Sequence, residues 1–239
     1  MKEYRHSSSV MMFCPLLATL MMKPLVADDS TTLQRERMVA EQIESRGIRN
    51  PNVLRVMRFI PRHLFVPADV QSMAYEDYPV PIGHGATISQ PYIVALMTEL
   101  LDPAKRHRIL EIGTGSGYQA AVLGQLAAEV YTVEIVPELA NSATERLREL
   151  GYNNVTVRAG DGYKGWPERA PFDRIIMTAA PPEVPVALID QLTKNGRLVA
   201  PIGLMWMQEL IVIDKRSDGT VRRRSVCPVS FVSMQRPRK

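Results

Sequence analysis

The sequence contains little cysteine and no apolar run long enough to cross a membrane. Its 239 residues include two cysteines, Cys14 and Cys227, which lie far apart and outside any Cys-x-x-Cys motif. This pattern indicates neither a disulfide framework nor a thiolate zinc site. The apolar run at residues 10–22 has thirteen residues, whereas a transmembrane helix needs about 20. The run is therefore too short for a transmembrane span.

A strong excess of one charge is also missing. The chain has 29 Lys+Arg against 25 Asp+Glu, a net charge of +4, and its 46% hydrophobic and 23% charged residues are close to globular averages. This composition excludes collagen-like, coiled-coil and wholly disordered chains. Basic clusters at Arg222–Arg224 and at Arg236, Arg238 and Lys239 predict a solvated turn and a loose tail. Nucleic-acid contact is the alternative.

The N-terminal segment has the layout of a secretory signal peptide. A basic start precedes the apolar run, and Ala27 could mark a cleavage site. Glu3, Pro15 and Lys23 argue against this interpretation, because they introduce charge or a helix breaker where signal peptides are apolar or small. We therefore interpret residues 1–31 as an extension and expect a cytoplasmic location. Export is the alternative.

Beyond residue 31, helical and strand-like segments follow one another. Helical patterns occupy residues 32–46, 50–59 and 91–101, and a glycine- and proline-rich loop is predicted at 70–91. Seven strand-like segments come next, namely RILEIG, EVYTVEI, NVTVRAG, FDRIIMTAA, GRLVAPIG, ELIVIDK and residues 226–232. Helical segments separate most of these strands.

This alternation predicts an α/β fold with a doubly wound, mostly parallel seven-stranded sheet. The last two strands have no helix between them, which predicts an antiparallel edge. We expect one domain at residues 32–239. It consists of a small helical cap and substrate loop at 32–90 and a Rossmann-like core at 91–239.

A glycine-rich turn joins the first strand of the core to a helix. It contains Glu111, Gly113, Thr114, Gly115 and Gly117. Glycines let the backbone approach a ligand closely, and a helix start offers free amides and a positive dipole end. Glu134, at the end of the second strand, can accept hydrogen bonds from both ribose hydroxyls. The pattern predicts a nucleoside site rather than a turn that serves packing alone.

The glycine spacing favours S-adenosylmethionine over a dinucleotide. Dinucleotide sites carry Gly-x-Gly-x-x-Gly, whereas this turn carries Gly-x-Gly-x-Gly after an acid. Glu111 would place negative charge beside the pocket, which disfavours a pyrophosphate and favours a sulfonium. After the third strand, Asp161 can bind the adenine amino group while Gly162 keeps the backbone close. We therefore expect S-adenosylmethionine as the cofactor.

Two features concern the methyl acceptor. The segment from Thr178 to Pro182 has the prolines of a nucleobase methyltransferase tetrapeptide but lacks its acceptor side chain and aromatic residue. A nucleobase substrate is therefore disfavoured. The four histidines lack metal-ligand spacing, and methyl transfer can proceed by positioning and exclusion of water. No metal site is predicted.

Three segments carry a resemblance to a known family. They are PIGHGATISQPYIVALMTELL, ILEIGTGSGYQAAVL and GDGYKGWPERAPFDRIIMTAAPPEVP. Together they resemble protein-L-isoaspartate O-methyltransferases, over roughly residues 33–231. The resemblance implies a methyltransferase fold and methyl transfer from S-adenosylmethionine to the α-carboxylate of L-isoaspartyl residues. The ester then collapses to a succinimide, which begins repair.

The resemblance also implies an acceptor site. Ser89 matches the active-site serine of the family, and its hydroxyl can donate a hydrogen bond to the misplaced carboxylate. Thr87, Ile88 and His84 are expected to contact the substrate beside Ser89. Ser89 also fits a helix cap ahead of Pro91, and the two roles are compatible.

The sequence departs from the family pattern at His84, Ala86 and Ser233, which concerns substrate fit and packing of the tail. We expect isoaspartyl peptides and proteins as partners, read through backbone contacts near residues 83–90 and 201–206. Nucleic acid and membranes are not expected as partners, and the protein is expected to be a monomer. The alternatives are a nucleic-acid methyltransferase that uses the basic C-terminal region and a nucleoside-binding or scaffold protein without turnover.

Overall fold

The computed structural model describes residues 29–237 together with Met1. Most of the extension predicted at residues 1–31, including the possible cleavage site after Ala27, lies outside these residues. The interpretation of that segment therefore stays a prediction. Within the described part of the chain, no helix is long and apolar enough to span a membrane.

A helical cap precedes the sheet. Helix α1 (Asp29–Arg37) continues into a π-helical segment at Met38–Glu44. The helix predicted at residues 32–46 is therefore confirmed, although it starts earlier and changes its hydrogen-bond pattern midway. Helix α2 (Pro51–Phe59) begins where predicted, because the Asn50 side chain accepts hydrogen bonds from two amides of its first turn. The cap packs against helix α3 (Pro91–Leu101).

The stretch predicted as a loop at residues 70–91 contains a short β-hairpin. Two 3-10 turns and two strands lead to α3, namely Arg62–Phe65, Ala68–Met73, β1 (Val80–Gly83) and β2 (Ala86–Ile88). His84 and Gly85 form the two-residue turn between the strands, with φ of 52° and 72°. Positive φ at both positions matches the twist of a tight hairpin.

The main sheet has seven strands. They are β3 (Arg108–Ile112), β4 (Glu129–Glu134), β5 (Val155–Ala159), β6 (Phe172–Met177), β7 (Leu192–Leu204), β8 (Met207–Lys215) and β9 (Val221–Val229). Their order is β5-β4-β3-β6-β7-β8-β9. The strands from β5 to β7 are parallel, and β8 and β9 pair antiparallel. The predicted sheet and its antiparallel edge are confirmed.

The last strand corrects one prediction. It begins at Val221 rather than at residue 226, so Arg222–Arg224 lie within β9 and not in a solvated turn. Their strand pairs with β8, where Arg222 lies opposite Asp214. The three arginines are exposed at the outer edge of the sheet, with β7 and β8 between them and β6.

Helices α4 (Tyr118–Gly124), α5 (Pro137–Glu149) and α6 (Val186–Asp190) complete the fold. Alternate strand residues enter two hydrophobic clusters, as the neighbours Ile109 and Leu110 show. Residues of α3, α4 and α5 contribute to one cluster and Leu188 of α6 to the other. Helix α6 ends at Asp190, and Leu192 already pairs with Phe172 of β6.

The order of the strands reverses around β3, which lies between β4 and β6. Ligands bind at such switch points, beyond the carboxyl ends of parallel strands. The C-terminal segment returns to this edge, where Ala180 exchanges backbone hydrogen bonds of 2.9 Å with Val232 and Met234. Arg236 then stacks over the Tyr163 ring at 3.9 Å. The prediction of a loose tail is therefore wrong for Arg236, and residues 238–239 lie outside the described part.

Candidate active site

A cleft opens at the carboxyl ends of β3, β4 and β6. It has about 900 Å³ of empty volume, including its open mouth. The hairpin, Ser89, the glycine turn and the end of β4 line it. Residues 178–179, Gly162 and the C-terminal segment 232–235 complete the wall.

The glycine turn has a backbone that only glycine adopts easily. Gly113, Gly115 and Gly117 have φ of 99°, 52° and 86°. A Cβ atom at Gly113 would lie 2.4 Å from Thr178 Oγ1, and this hydroxyl donates a hydrogen bond to the Gly113 carbonyl at 2.6 Å. Gly113, Thr114 and Gly115 line the cleft, whereas Gly117 packs against Leu147 of α5. The turn therefore presents backbone to a ligand.

Glu134 is held in the cleft wall by backbone amides. One carboxylate oxygen accepts from the Gly115 amide at 2.8 Å, and the other accepts from the Val136 amide at 3.0 Å. The side chain is 5% exposed and lines the cleft. Each carboxylate oxygen has a second lone pair. Both oxygens can therefore accept a further hydrogen bond from a ligand.

Glu111 lies behind the cleft wall rather than in it. Its carboxyl is completely buried, and Oε2 is 2.5 Å from the Thr132 hydroxyl, which is in turn 2.7 Å from the hydroxyl of the lining residue Thr114. Burial raises the pKa of Glu111 to about 8, the Thr132 hydrogen bond opposes this shift, and the charge of Glu134 adds to it. The negative charge expected beside the pocket is therefore a neutral acid at pH 7, linked to the cleft through two hydroxyls.

Asp161 and Gly162 follow β5 as the sequence predicts. The Asp161 side chain accepts from the Tyr163 amide at 3.0 Å and starts a 3-10 turn. Gly162 lines the cleft, and a Cβ atom there would lie 2.5 Å from a methyl of Ile112 and 2.9 Å from the end of Met234. Asp161 itself is half-buried next to the lining residues. Gly162 therefore lets the C-terminal segment close over β3.

Ser89 lies between β2 and α3 and lines the cleft. Its hydroxyl makes no hydrogen bond to another described residue, which leaves it available to a ligand. Gln90, not Ser89, is the N-cap residue of α3, and no side chain caps this helix. The prediction that Ser89 caps the helix is therefore wrong, because Gln90 occupies the N-cap position directly before Pro91.

The other residues predicted to contact substrate come together beside Ser89. His84, Thr87 and Ile88 all line the cleft, with His84 and Thr87 exposed and Ile88 buried. The segment 201–206, where substrate contacts were also expected, is not part of the lining. It is joined to the loop after β6 through a hydrogen bond of 3.0 Å from the Gly203 amide to the Pro181 carbonyl.

Sequence reasoning missed three features of the site. Thr178 closes the glycine turn, residues 232–235 form part of the wall, and the buried Arg62 donates a hydrogen bond of 2.8 Å to the Ser89 carbonyl. The run Thr-Ala-Ala-Pro can be recognised in the sequence, but no local pattern indicates that the Thr178 hydroxyl donates a hydrogen bond to the Gly113 carbonyl. The turn PRHLFVP likewise does not indicate that its arginine is buried.

Comparisons with known proteins place the chain in one family. The family model described as Protein-L-isoaspartate(D-aspartate) O-methyltransferase (PCMT) matches residues 33–239. A protein-L-isoaspartate O-methyltransferase of Synechococcus sp. is 50% identical over 239 residues, covering 97% of this chain and 96% of the relative. One of Gloeobacter violaceus is 53% identical over 199 residues, covering 83% and 97%.

A solved structure from Plasmodium falciparum shares the fold. It is described as a beta-aspartate methyltransferase (PCMT) in complex with S-adenosyl-L-homocysteine. It superposes with a TM-score of 0.73 at 26% identity, covering 84% of this chain and 98% of that one.

Proposed function

The chain belongs to the protein-L-isoaspartate(D-aspartate) O-methyltransferase family, and we propose how its residues contribute to the reaction. The enzyme transfers a methyl group from S-adenosylmethionine to the α-carboxylate of L-isoaspartyl residues in peptides and proteins. The methyl ester then closes to a succinimide, whose hydrolysis returns part of the material to normal aspartate. The proposal concerns the residues that hold the donor and the acceptor.

The donor side of the cleft consists of the glycine turn, Glu134 and Gly162. When bound, S-adenosylmethionine supplies a methyl group on a positively charged sulfur. The bare backbone at Gly113 and Gly115 fits a ligand that must lie close to the main chain, and a side chain at Gly113 would collide with Thr178. The two oxygens of Glu134, oriented by backbone amides, would hold the ribose hydroxyls. Asp161 would bind the adenine amino group at the far end of the cofactor.

The acceptor side is the hairpin and Ser89. We propose Ser89 as the catalytic residue, because it lines the cleft and its hydroxyl makes no hydrogen bond to a described residue. It would donate a hydrogen bond to the isoaspartyl carboxylate and keep one carboxylate oxygen directed at the donor side. The carboxylate is itself the nucleophile, so Ser89 needs no base. Orientation and exclusion of water contribute the remaining rate.

His84, Thr87 and Ile88 would contact the peptide around the isoaspartyl residue. The hairpin turn at His84 and Gly85 is exposed, so its main chain could contact the extra backbone atom of isoaspartate without selecting neighbouring side chains. The partners we propose are isoaspartyl peptides and proteins, bound by a monomer in the cytoplasm without nucleic acid. Export remains the alternative location if residues 1–27 are a signal peptide.

Methyl transfer to a matched pair of peptides tests this proposal. The two peptides differ only in an isoaspartyl or a normal aspartyl residue, and transfer of labelled methyl is measured for each. We expect transfer to the isoaspartyl peptide alone. Ser89→Ala should lower its turnover by about 10- to 100-fold, because one hydrogen bond to a charged group is worth about 1.5–3 kcal/mol. Equal transfer to both peptides, or full turnover by Ser89→Ala, would contradict the proposal.

A further inference from the structure

Arg62 is a completely buried arginine next to the acceptor side of the cleft. It is 0% exposed. Its Nε donates to the Ala74 carbonyl at 2.6 Å, and its Nη2 donates to the Ser89 carbonyl at 2.8 Å. Its guanidinium lies 4.9 Å from the centre of the Tyr118 ring, a residue that lines the cleft. We propose that Arg62 is a positioning residue that fixes the backbone of Ser89 and acts on the reaction through it.

Stability alone does not account for this arginine. Arg62 has no carboxylate within salt-bridge distance in residues 29–237, and its buried Nη1 has no hydrogen-bond partner there. Burial lowers the pKa of Arg62 to about 10, so the group stays charged at neutral pH. A buried, unpaired charge is costly, and apolar residues of similar volume are often as stable or more so. Filling space therefore does not explain why an arginine occupies this position.

The planar guanidinium joins two segments that regular structure does not hold. Ala74 ends the 3-10 turn at Ala68–Met73, and Ser89 lies between β2 and α3. Arginine presents its donors in a rigid fork, which fixes the relative position of two acceptors, whereas lysine offers a single flexible head. The Ser89 side chain has no hydrogen bond of its own within the described residues. The link through its carbonyl therefore helps to hold the backbone from which its hydroxyl projects.

The neighbouring residue is held separately. The Gln90 side chain donates to the Asp77 carbonyl at 2.9 Å and to the Asp77 carboxylate at 2.8 Å. This contact fixes the start of α3 whether or not Arg62 is present. Loss of Arg62 should therefore shift Ser89 locally without unfolding the helix, and a displacement of about 1 Å near reacting atoms can lower a rate about 100-fold.

A double-mutant cycle between Arg62 and Ser89 tests the inference, which rests on the catalytic role proposed for Ser89. Arg62→Met, Ser89→Ala and the double variant are compared for kcat and KM on an isoaspartyl peptide and for Kd of S-adenosyl-L-homocysteine. We expect Arg62→Met to lower kcat about 10- to 100-fold while that Kd changes less than about twofold. On the Ser89→Ala background the same substitution should lower kcat less than about twofold, because the two residues act as one unit.

Two further variants make the test specific. Arg62→Lys keeps the charge but loses the forked guanidinium, so its kcat should fall close to that of Arg62→Met. It also provides a second variant if the methionine variant does not fold. Arg174→Met is the matched control, since Arg174 donates to the Leu101 carbonyl at 2.8 Å, at the opposite end of α3. It should leave kcat and KM unchanged.

Three outcomes would overturn the inference. They are wild-type kcat for Arg62→Met, an undiminished effect of Arg62→Met on the Ser89→Ala background, and an equal loss of kcat for Arg174→Met. Full activity of Ser89→Ala alone is a different result, since it refutes the catalytic role of Ser89 itself. The failure of the inference and that of the proposed function are thus distinguishable.

Discussion

The donor and acceptor sides that we propose for the cleft are built from different kinds of contact. The donor side uses main-chain groups of one contiguous turn and Glu134, each placed by a strand of the parallel sheet. The acceptor side depends on Ser89, which lies in a loop held by side chains from other parts of the chain. Arg62, 27 residues before Ser89, donates to the Ser89 carbonyl, and the Gln90 side chain donates to Asp77. The position of the donor site is therefore determined by the strands of the sheet, whereas the geometry of the acceptor site forms only when the cap and the hairpin have packed.

The two sides also differ in the ionisable group buried behind them. Glu111 lies behind the donor side and is neutral at pH 7, because burial raises its pKa to about 8. Arg62 lies behind the acceptor side and stays charged. At pH 7 the group behind the proposed acceptor side is therefore charged, and the group behind the proposed donor side is not.

The largest effect is expected from a glycine-to-alanine substitution, made once on the donor side and once on the acceptor side. Gly113→Ala adds a methyl group 2.4 Å from Thr178 Oγ1 at a φ of 99°, whereas Gly85→Ala at φ 72° meets nothing within 4 Å. A left-handed conformation costs an alanine roughly 1–2 kcal/mol, and overpacking adds about 1–3 kcal/mol. We expect Gly113→Ala to lower the free energy of unfolding by about 2–5 kcal/mol and Gly85→Ala by about 1–2 kcal/mol.

Urea denaturation of both variants measures this difference. Gly113→Ala should also weaken binding of S-adenosyl-L-homocysteine, and Gly85→Ala should not. If the two variants lost equal stability, the contact between Gly113 and Thr178 would not be a constraint on the donor side, and the distinction between the two sides would weaken.

The sequence predicted most of the fold and the donor side. Helix α3 starts at Pro91 as its proline and apolar spacing indicate, and the turn from Gly113 to Gly117 lies at the switch point of the sheet. These features could be predicted because periodicity and glycine spacing are local properties of the chain. Strands β1 and β2 have only four and three residues, too few to show an alternating pattern.

The remaining features depend on contacts between distant residues. Local sequence could not reveal that Arg62 reaches the Ser89 carbonyl or that residues 232–235 return to the cleft. The complete burial of Glu111 was not predictable either. Its side chain points into the sheet layer beside Thr132 of β4, a neighbour that only the pairing of β3 with β4 supplies.

A smaller effect is expected from Glu111→Gln and appears in the pH dependence of stability. The folded-state pKa of Glu111 is about 8, above its ordinary value of 4.5. The native state therefore binds more protons than the unfolded state between these values, and the free energy of unfolding falls as pH rises from about 4.5 to 8. Glu111→Gln removes this titration, so its stability should decline less across that window.

Urea denaturation at several pH values checks the slope. Glu129→Gln is a suitable control, because Glu129 is exposed at the opposite end of β4 and its hydrogen bonds with Arg108 and Tyr131 lower its pKa. It should keep the wild-type slope between pH 5 and 8. An unchanged slope in Glu111→Gln would mean that Glu111 is ionised in the folded protein at neutral pH.

Calorimetric titration with S-adenosyl-L-homocysteine tests most directly whether the cleft divides into a donor and an acceptor side. Glu134→Gln replaces one amide-bound carboxylate oxygen by a donor group and should weaken binding by about 10- to 100-fold, whereas Ser89→Ala should bind the ligand as the wild type does. If Ser89→Ala lost affinity while Glu134→Gln kept it, the assignment of the two sides would be contradicted.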